Sequence, residues 1–349
     1  MTINFLVNSK ILHGHITGVQ RYLLEIMESI SGQLERVQSG RAFSGLKGHI
    51  WEQCVLPFRV SGNLLWSPSN TGPLAVARQV VTIHDVVPLD HPEWLNWKFA
   101  AWYRFLLPRL VLRVRRVIAI SEFTKERLLA TTKISPEKII VIPNGVDSRF
   151  HPRPEAEVTA AIEALGLPVR RYLLTVGSLE PRKNLRRLLA AWRQAHTSLP
   201  EDIWLVVAGG KGKMMVFGDT TGVEDLPPRV FLTGRVPDDL LPALYAGAAA
   251  FAYVSEYEGF GLPPLEAMAS GVPVLVSNTT AFPEVVSDAG LYANPLDVNE
   301  IAQGLIRLLT DSAIAADLRE RGLKRAKQFS WERTAALTLK VLREAAEEG

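Results

Sequence analysis

The residues best able to do chemistry lie between Ser255 and Pro273, in the stretch SEYEGFGLPPLEAMASGVP. Two carboxylates, Glu258 and Glu266, stand with seven residues between them, and Gly259, Phe260 and Gly261 open that interval. The apolar run ending Phe251-Ala252-Tyr253-Val254 reads as a buried strand, and Leu265 to Ala269 as a helix that Gly271 ends. Pro263 and Pro264 suit a first helical turn, where the N–H groups lack partners in any case. Strand, glycine loop and helix start make an anion site, because free N–H groups and the helix dipole converge there. Gly259 and Gly261 let a phosphate or sugar approach the main chain without meeting a Cβ. Glu258 and Glu266 can accept hydrogen bonds from sugar or ribose hydroxyls. A lone glutamate pair at this spacing reads more readily as a solvated turn; the residues around it reverse that reading.

Two further constellations join it. YLLTVGSLEPRKNLRRLLAAW reads as a strand, a loop carrying Arg182 and Lys183, and a helix. Two cations at a helix start oppose the dipole unless an anion is present, so the mismatch favours a phosphate site. Arg would act there as a bidentate fork and Lys as a point charge. Upstream, the β-branched run Val80 to Ile83 delivers His84-Asp85 at its carboxyl end, where open α/β sheets bind ligands. A histidine in that position, taken alone, is more often structural than catalytic.

EGFGLPPLEAMASGVPVLVSN resembles the signature of the retaining glycosyltransferases of family four, which have the GT-B fold. That fold is α/β: two Rossmann-like doubly wound domains face a cleft, and the C-terminal helix crosses back to the N-terminal domain. The resemblance implies that Glu258 contacts the donor sugar and Glu266 holds the nucleotide ribose. It implies that Gly259, Phe260, Gly261 and Leu262 line the sugar-diphosphate, with Gly18 facing it from the first loop. His84 would touch the donor sugar, with Asp85 orienting its ring. Gln20 and Arg21 would face the acceptor, and Gly209, Gly210 and the main chain at Arg235-Val236 the base. Many family members read Gly-Arg-Leu-x-x-x-Lys in the loop of the two cations. Here Ser178 replaces that Arg, Lys183 matches the Lys, and Arg182 is expected to supply the missing charge.

The elements needed to position these groups can be followed along the chain. Phe5 to Val7 is a first strand, and Leu23, Leu24, Ile26, Met27 and Ile30 give the helix after it an apolar face. Residues 31–62 carry no clear pattern, and 211–229 read as a variable loop. Ser121 caps the helix begun by SEFTKERL, and IPNGVD closes the first domain as is usual in the family. The expected division is an acceptor-binding domain over 1–165, a nucleotide-sugar domain over 166–330, and a returning helix over 331–349.

A chain of 349 residues with 47% apolar and 21% charged residues suits two medium cores. No apolar run is long enough to cross a bilayer, and the N-terminus reads as a strand, not a signal peptide, so a cytoplasmic location is expected. The single cysteine, Cys54, excludes an internal disulfide and a cysteine-cluster metal site. No D-x-D pair occurs, so no metal is expected; Arg182, Lys183, amides and the helix dipole must meet the diphosphate charge. A nicotinamide dehydrogenase would need G-x-G-x-x-G after a strand, which is absent, and no nucleic-acid motif occurs. Residues 1–150 hold 18 Lys/Arg against 11 Asp/Glu, whereas the remainder holds 21 against 25. Within that basic half, PEWLNWKFAAWYRFLLPRLVLRVRR mixes tryptophans with arginines, a composition suited either to an anionic bilayer surface or to an ordinary helix pair.

The resemblance implies transfer of a sugar from a nucleotide-sugar with retention, the departing diphosphate oxygen taking the acceptor proton. GSLEPRKN and TIHDVVPLDHPEW look most like bacterial mannosyltransferases of polysaccharide assembly. The expected donor is therefore GDP-mannose, and the expected acceptor a glycan or polyprenyl-diphosphate-linked saccharide. A nucleotide-sugar hydrolase or epimerase of the same fold is the alternative.

Overall fold

The computed structural model describes residues 5–12, 18–38, 45–60, 62–210 and 226–348. Two compact units form. The first takes residues 1–93, 97–145 and 329–349, and the second residues 94–96 and 146–328.

The first unit is built on a parallel six-stranded sheet: β1 (Phe5–Asn8), β2 (Leu34–Val37), β3 (Leu65–Ser67), β4 (Gln79–Ile83), β5 (Arg116–Ala119) and β6 (Ile139–Val141). Their spatial order is β2-β1-β3-β4-β5-β6. β1, β3 and β4 are buried throughout, as parallel strands covered on both faces must be. β2 is an edge strand with exposed Glu35 and Arg36 at its centre, which is why residues 31–62 show no strand pattern. The same interval forms the helices Gly45–Cys54 and Leu56–Val60.

The helix Trp331–Glu347 belongs to this unit and packs on the helix Gly18–Ser29. Ser330 caps it by accepting from Arg333 N, and Arg115 and Arg78 donate to the Ala345 and Ala346 carbonyls at its end. Cations there complement the dipole.

The second sheet comprises β7 (Arg171–Val176), β8 (Ile203–Ala208), β9 (Val230–Gly234), β10 (Ala250–Tyr253), β11 (Val274–Ser277) and β12 (Gly290–Ala293). All pairings are again parallel, in the order β12-β11-β10-β7-β8-β9. Leu188, Leu189 and Trp192 of the helix Leu185–Ala195 and Ile301, Leu305 and Leu308 of the helix Val298–Thr310 form one apolar core over it.

The division between the units falls at Gly145, not at 165. Residues 146–165 join the second unit because the helix Glu155–Ala164 packs on the helix Leu241–Ala246, while the Phe150 ring meets Tyr245 edge-on at 5.4 Å. An apolar surface fixes that membership, and IPNGVD marks its start. The expected variable loop at 211–229 lies, up to residue 225, outside the described residues.

Among the described residues no helix is long and apolar enough to cross a membrane.

Candidate active site

In the second sheet the chain winds outward in both directions from the neighbouring strands β7 and β10. Loops leaving their carboxyl ends diverge, and open α/β sheets bind ligands in the crevice this creates. The loop after β7 carries Arg182 and Lys183; the loop after β10 carries Glu258. Separated by 75 residues in the chain, Lys183 and Glu258 meet there in an ion pair.

The pair is built on a network. Lys183 Nζ also donates to the Tyr253 hydroxyl at 2.5 Å, and that hydroxyl donates to Glu258 Oε1 at 3.0 Å. Ser255 Oγ lies 3.3 Å from the same oxygen, and Arg182 Nη1 3.1 Å from it. Arg182 is held from its other side by Glu180 Oε2 at 2.9 Å, and Glu180 in turn accepts from Ser178 Oγ. Ser178, standing where the family's usual Arg would be, thus braces the residue that brings a guanidinium into the site.

Burial pushes the Glu258 carboxyl up, but Arg182 and Lys183 outweigh it and hold the group at about 2. Burial, followed by the neighbouring guanidinium, lowers Lys183, against the opposing pull of Glu258 and Glu180. Burial and the Glu258 carboxylate raise the Tyr253 phenol well above its ordinary value, so it stays a donor. The result is a buried ionised cluster with close to balanced charge.

Local geometry aims these groups. Asn184 takes the left-handed conformation, φ 58°, between the turn Pro181–Lys183 and the helix Leu185–Ala195. Its buried amide donates to Val254 O at 2.9 Å and Pro295 O at 2.7 Å, tying the cation loop to the end of β10. Glu256 N bonds to Arg182 O at 2.8 Å in the same junction. Asn184, Tyr253 and Glu180 are the residues that sequence reasoning missed. The only signal for Asn184 was its place at a helix start, and for Tyr253 its place at a strand end.

Gly261 has φ 112°, a conformation that favours glycine, and a Cβ there would also lie a tight 3.0 Å from the Phe282 ring. The helix Leu262–Ala269 starts at that point, with Phe260 and Glu266 both buried. Gly209, φ 150°, is the tighter case: its Cβ would lie 1.8 Å from the Gly177 carbonyl oxygen. Gly209 N bonds to Gly234 O at 2.8 Å and Leu179 N to Gly210 O at 3.1 Å, which joins the ends of β8 and β9 to the cation loop. Val236 lies two residues beyond β9, half-buried.

The remaining candidates lie in the first unit. Gly18 is the exposed first residue of its helix, and residues 13–17 before it are outside the described residues. His84 is buried after β4, its Nε2 2.7 Å from the Pro68 carbonyl. Because a carbonyl only accepts, Nε2 carries the proton and Nδ1 is left as an acceptor. Burial lowers its pKa to about 4, so the ring is neutral at pH 7. The expected orienting role of Asp85 is not observed: Pro68 O and the Tyr22 ring, edge-on at 4.8 Å, fix the imidazole. Among the described residues no group of three or more His, Cys, Asp or Glu could hold a metal.

Tyr253→Phe tests the network directly. It removes the hydroxyl shared by Lys183 and Glu258 and keeps the ring. Nucleotide-sugar affinity is expected to fall about three- to ten-fold, the value of one lost hydrogen bond. Unchanged affinity by calorimetry would show that the hydroxyl does not position Lys183.

Comparison with known proteins gives a consistent picture. The family model for glycosyl transferases group 1 matches residues 160–327, and that for glycosyltransferase family 4 matches residues 65–150. The O-antigen chain mannosyltransferase B of Escherichia coli is 34% identical over 274 residues, covering 76% of this chain and 70% of that protein. The serotype-specific mannosyltransferase WbdA of Escherichia coli is 29% identical over 75% of this chain, which spans only 33% of that longer relative. Among solved structures, Anabaena Alr3699/HepE in complex with UDP and glucose overlays with a TM-score of 0.77 at 19% identity, over 98% of this chain and 99% of that one. The matches to both units, and the identity to a relative covered over most of its length, make this chain a member of the family 4 (group 1) glycosyltransferases, with the GT-B fold.

Proposed function

We propose that this glycosyltransferase of polysaccharide synthesis moves mannose from GDP-mannose, with retention, to a glycan or polyprenyl-diphosphate-linked saccharide. The observation carrying the proposal is the Arg182–Glu258–Lys183 cluster at the β7/β10 crevice, beside the start of the helix that bears Glu266. The mannose assignment draws on relatives that are O-antigen and serotype-specific mannosyltransferases. Nothing observed favours hydrolysis or epimerisation.

In this proposal the donor diphosphate competes with Glu258 for Lys183 and Arg182. The cations turn toward the phosphates, and Glu258 accepts from sugar hydroxyls instead. Stabilising the charge that grows on the departing diphosphate is the largest contribution such residues make. That diphosphate oxygen takes the acceptor proton, so no protein base is assigned. His84 Nδ1 accepts from a donor-sugar hydroxyl, and Glu266 from the ribose. Gly18 and Gly259 to Leu262 line the diphosphate; Gly209 and Val236 flank the base. No metal is assigned.

Calorimetry with GDP-, UDP-, ADP- and dTDP-sugars, with and without EDTA, tests this. Tight, EDTA-insensitive binding of GDP-mannose is expected. Preference for another base would overturn the mannose assignment, and binding of none would overturn the donor site.

We also propose peripheral contact with an anionic membrane at the cytoplasmic face. The helix Trp97–Arg113 contains no Asp or Glu, and Trp97 (72% exposed), Ala101, Phe105 and Leu112 lie along one exposed side among Lys98, Arg104, Arg109 and Arg113. Arg109 stacks on Phe105 at 4.0 Å. Such stripes seat aromatic rings at headgroup depth, with each cation adding about 1 kcal/mol. The double variant Trp97→Ser, Phe105→Ser is expected to lose most binding to phosphatidylglycerol vesicles in sedimentation. Equal sedimentation would assign these side chains to another role.

A further inference from the structure

The residues around Glu258 carry balanced charge on their own. Arg182 and Lys183 supply two positive charges, and Glu180 and Glu258 two negative ones. Their neighbours leave that balance unchanged. Glu256 is paired with Arg187 at 2.5 Å, and Tyr253 and Ser255 place neutral hydroxyls 3.0 and 3.3 Å from Glu258 Oε1. A nucleotide-sugar would add a negative charge on each phosphate of its diphosphate. Both phosphates are disubstituted, so neither titrates near neutral pH.

The two carboxylates are not equally exposed to that addition. Glu180 holds Arg182 through Nε at 2.9 Å, whereas Glu258 is paired with Nη1 at 3.1 Å. Nη1 can turn to a phosphate while Nε stays with Glu180, and Ser178 Oγ remains a second donor to Glu180. Among the described residues, Lys183 and Arg182 are the only cations within ion-pair distance of Glu258. Once both bind phosphate, the buried Glu258 keeps neutral partners alone. Of the influences that set its carboxyl, the two cations are withdrawn and the Tyr253 hydrogen bond stays, against burial, which is the largest and acts upward. A buried carboxylate beside an anion and without a cation takes up a proton.

We infer that donor binding draws one proton from solvent onto Glu258, so that this residue meets the sugar as a neutral carboxyl. The inference rests on the proposed donor site. A neutral carboxyl keeps an oxygen that accepts from a sugar hydroxyl and gains an O–H to donate. It has no carboxylate charge with which to attack the anomeric carbon. The acceptor proton still goes to the departing diphosphate oxygen, so the Glu258 proton is conserved through transfer and leaves when the nucleotide does. Glu52 is a buried carboxylate of the same kind in the first unit, the hub of hydrogen bonds from Asn8 at 2.7 Å, Thr71 at 3.0 Å and Lys10 at 2.5 Å. Lys10 is not part of the proposed donor site, so Glu52 keeps its cation and its charge.

Calorimetry of the full chain with GDP-mannose and with UDP-glucose, in two buffers of different ionisation enthalpy, reads the proton directly. Uptake of about half a proton or more per donor is expected at pH 5.5. A carboxyl whose pKa rises on binding makes affinity fall as pH rises, here about three- to ten-fold from pH 5 to pH 7. Glu258→Gln carries a neutral amide of the same shape. It is expected to take up no proton and to bind with level affinity over that range. At pH 7 it should bind at least as tightly as the wild type, because Lys183 and Arg182 have no carboxylate to leave. Infrared difference spectra should show a carboxylic-acid C=O band on donor binding that the variant lacks. Should the variant not fold, wild-type uptake and pH profile decide. Binding of either donor with no uptake and a level profile overturns this inference and leaves the donor site standing. Uptake that survives in Glu258→Gln, at Glu52 or elsewhere, overturns it too, as does a folded variant that binds far more weakly than wild type at pH 7. Binding of neither donor by the wild type overturns the donor proposal, and this inference falls with it.

Discussion

Lys183→Ala is expected to lower kcat by about 10²- to 10³-fold, the usual effect of removing one group that stabilises charge in the transition state. The loop should keep its path, because Asn184 anchors it through Val254 O and Pro295 O without help from Lys183. Glu258 would retain Arg182 at 3.1 Å, Tyr253 and Ser255, so its ionised form remains supported. A stability loss of about 1–3 kcal/mol is expected, since one partner leaves a buried charge. Steady-state kinetics and urea unfolding on the same preparation check both halves. A kcat within two- or three-fold of wild type would remove Lys183 from the chemistry. A large kcat loss with an unchanged affinity for the free nucleoside diphosphate would place its contribution in the transition state, not in ground-state binding.

Acid sensitivity is the second large effect, and it comes from three buried groups that titrate in two windows. Glu258 and Glu52 are each held at about 2 against an ordinary 4.5. For Glu52 burial works upward, and the Lys10 ammonium outweighs it. A carboxyl depressed in the fold gives stability that is complete above its unfolded pKa and is lost as pH falls toward the folded value. His84 moves the other way in charge: its folded pKa is about 4 against 6.5. The unfolded chain binds that proton first, so this share is present above pH 6.5 and is lost between 6.5 and about 4. Each gap is worth on the order of 3 kcal/mol at most.

Urea midpoints should therefore fall in two stages, first below about pH 6.5 and again below about pH 4.5. The lower stage acts on both units, because Glu52 lies in the first and Glu258 in the second. His84→Phe should flatten the upper stage alone, and Glu258→Gln should shrink the lower one. A wild-type midpoint that is level from pH 6.5 to 4.5 would contradict the neutral buried imidazole.

The residues of the proposed donor site were legible to different degrees, for a physical reason. EGFGLPPLE could be read directly because its strand, loop and helix start are consecutive, so local propensity and spacing carry the whole motif. Arg182 and Lys183 were legible as a charge mismatch at a helix start. The expectation that Asp85 would orient His84 failed. A neighbour in sequence is not a neighbour in space when the backbone turns, and Pro68 O, 16 residues away, took that place. The edge strand β2 and the helix Gly45–Cys54 escaped because their burial is partial and their pattern weak. The hub residue Glu52 escaped with them.

By itself the sequence determined the class of fold, the family, the loop that bears the two glutamates and the pair of cations at the helix start. Each of these is written in consecutive residues whose propensities and periodicity act over one or two elements. Tertiary structure decided the rest. Lys183 meets Glu258 and Lys10 meets Glu52 because parallel strands adjacent in space are remote in the chain, and their register brings distant loops to one crevice. The protonation states follow from that meeting, since burial and the nearest charge set them, and neither exists until the sheets have formed.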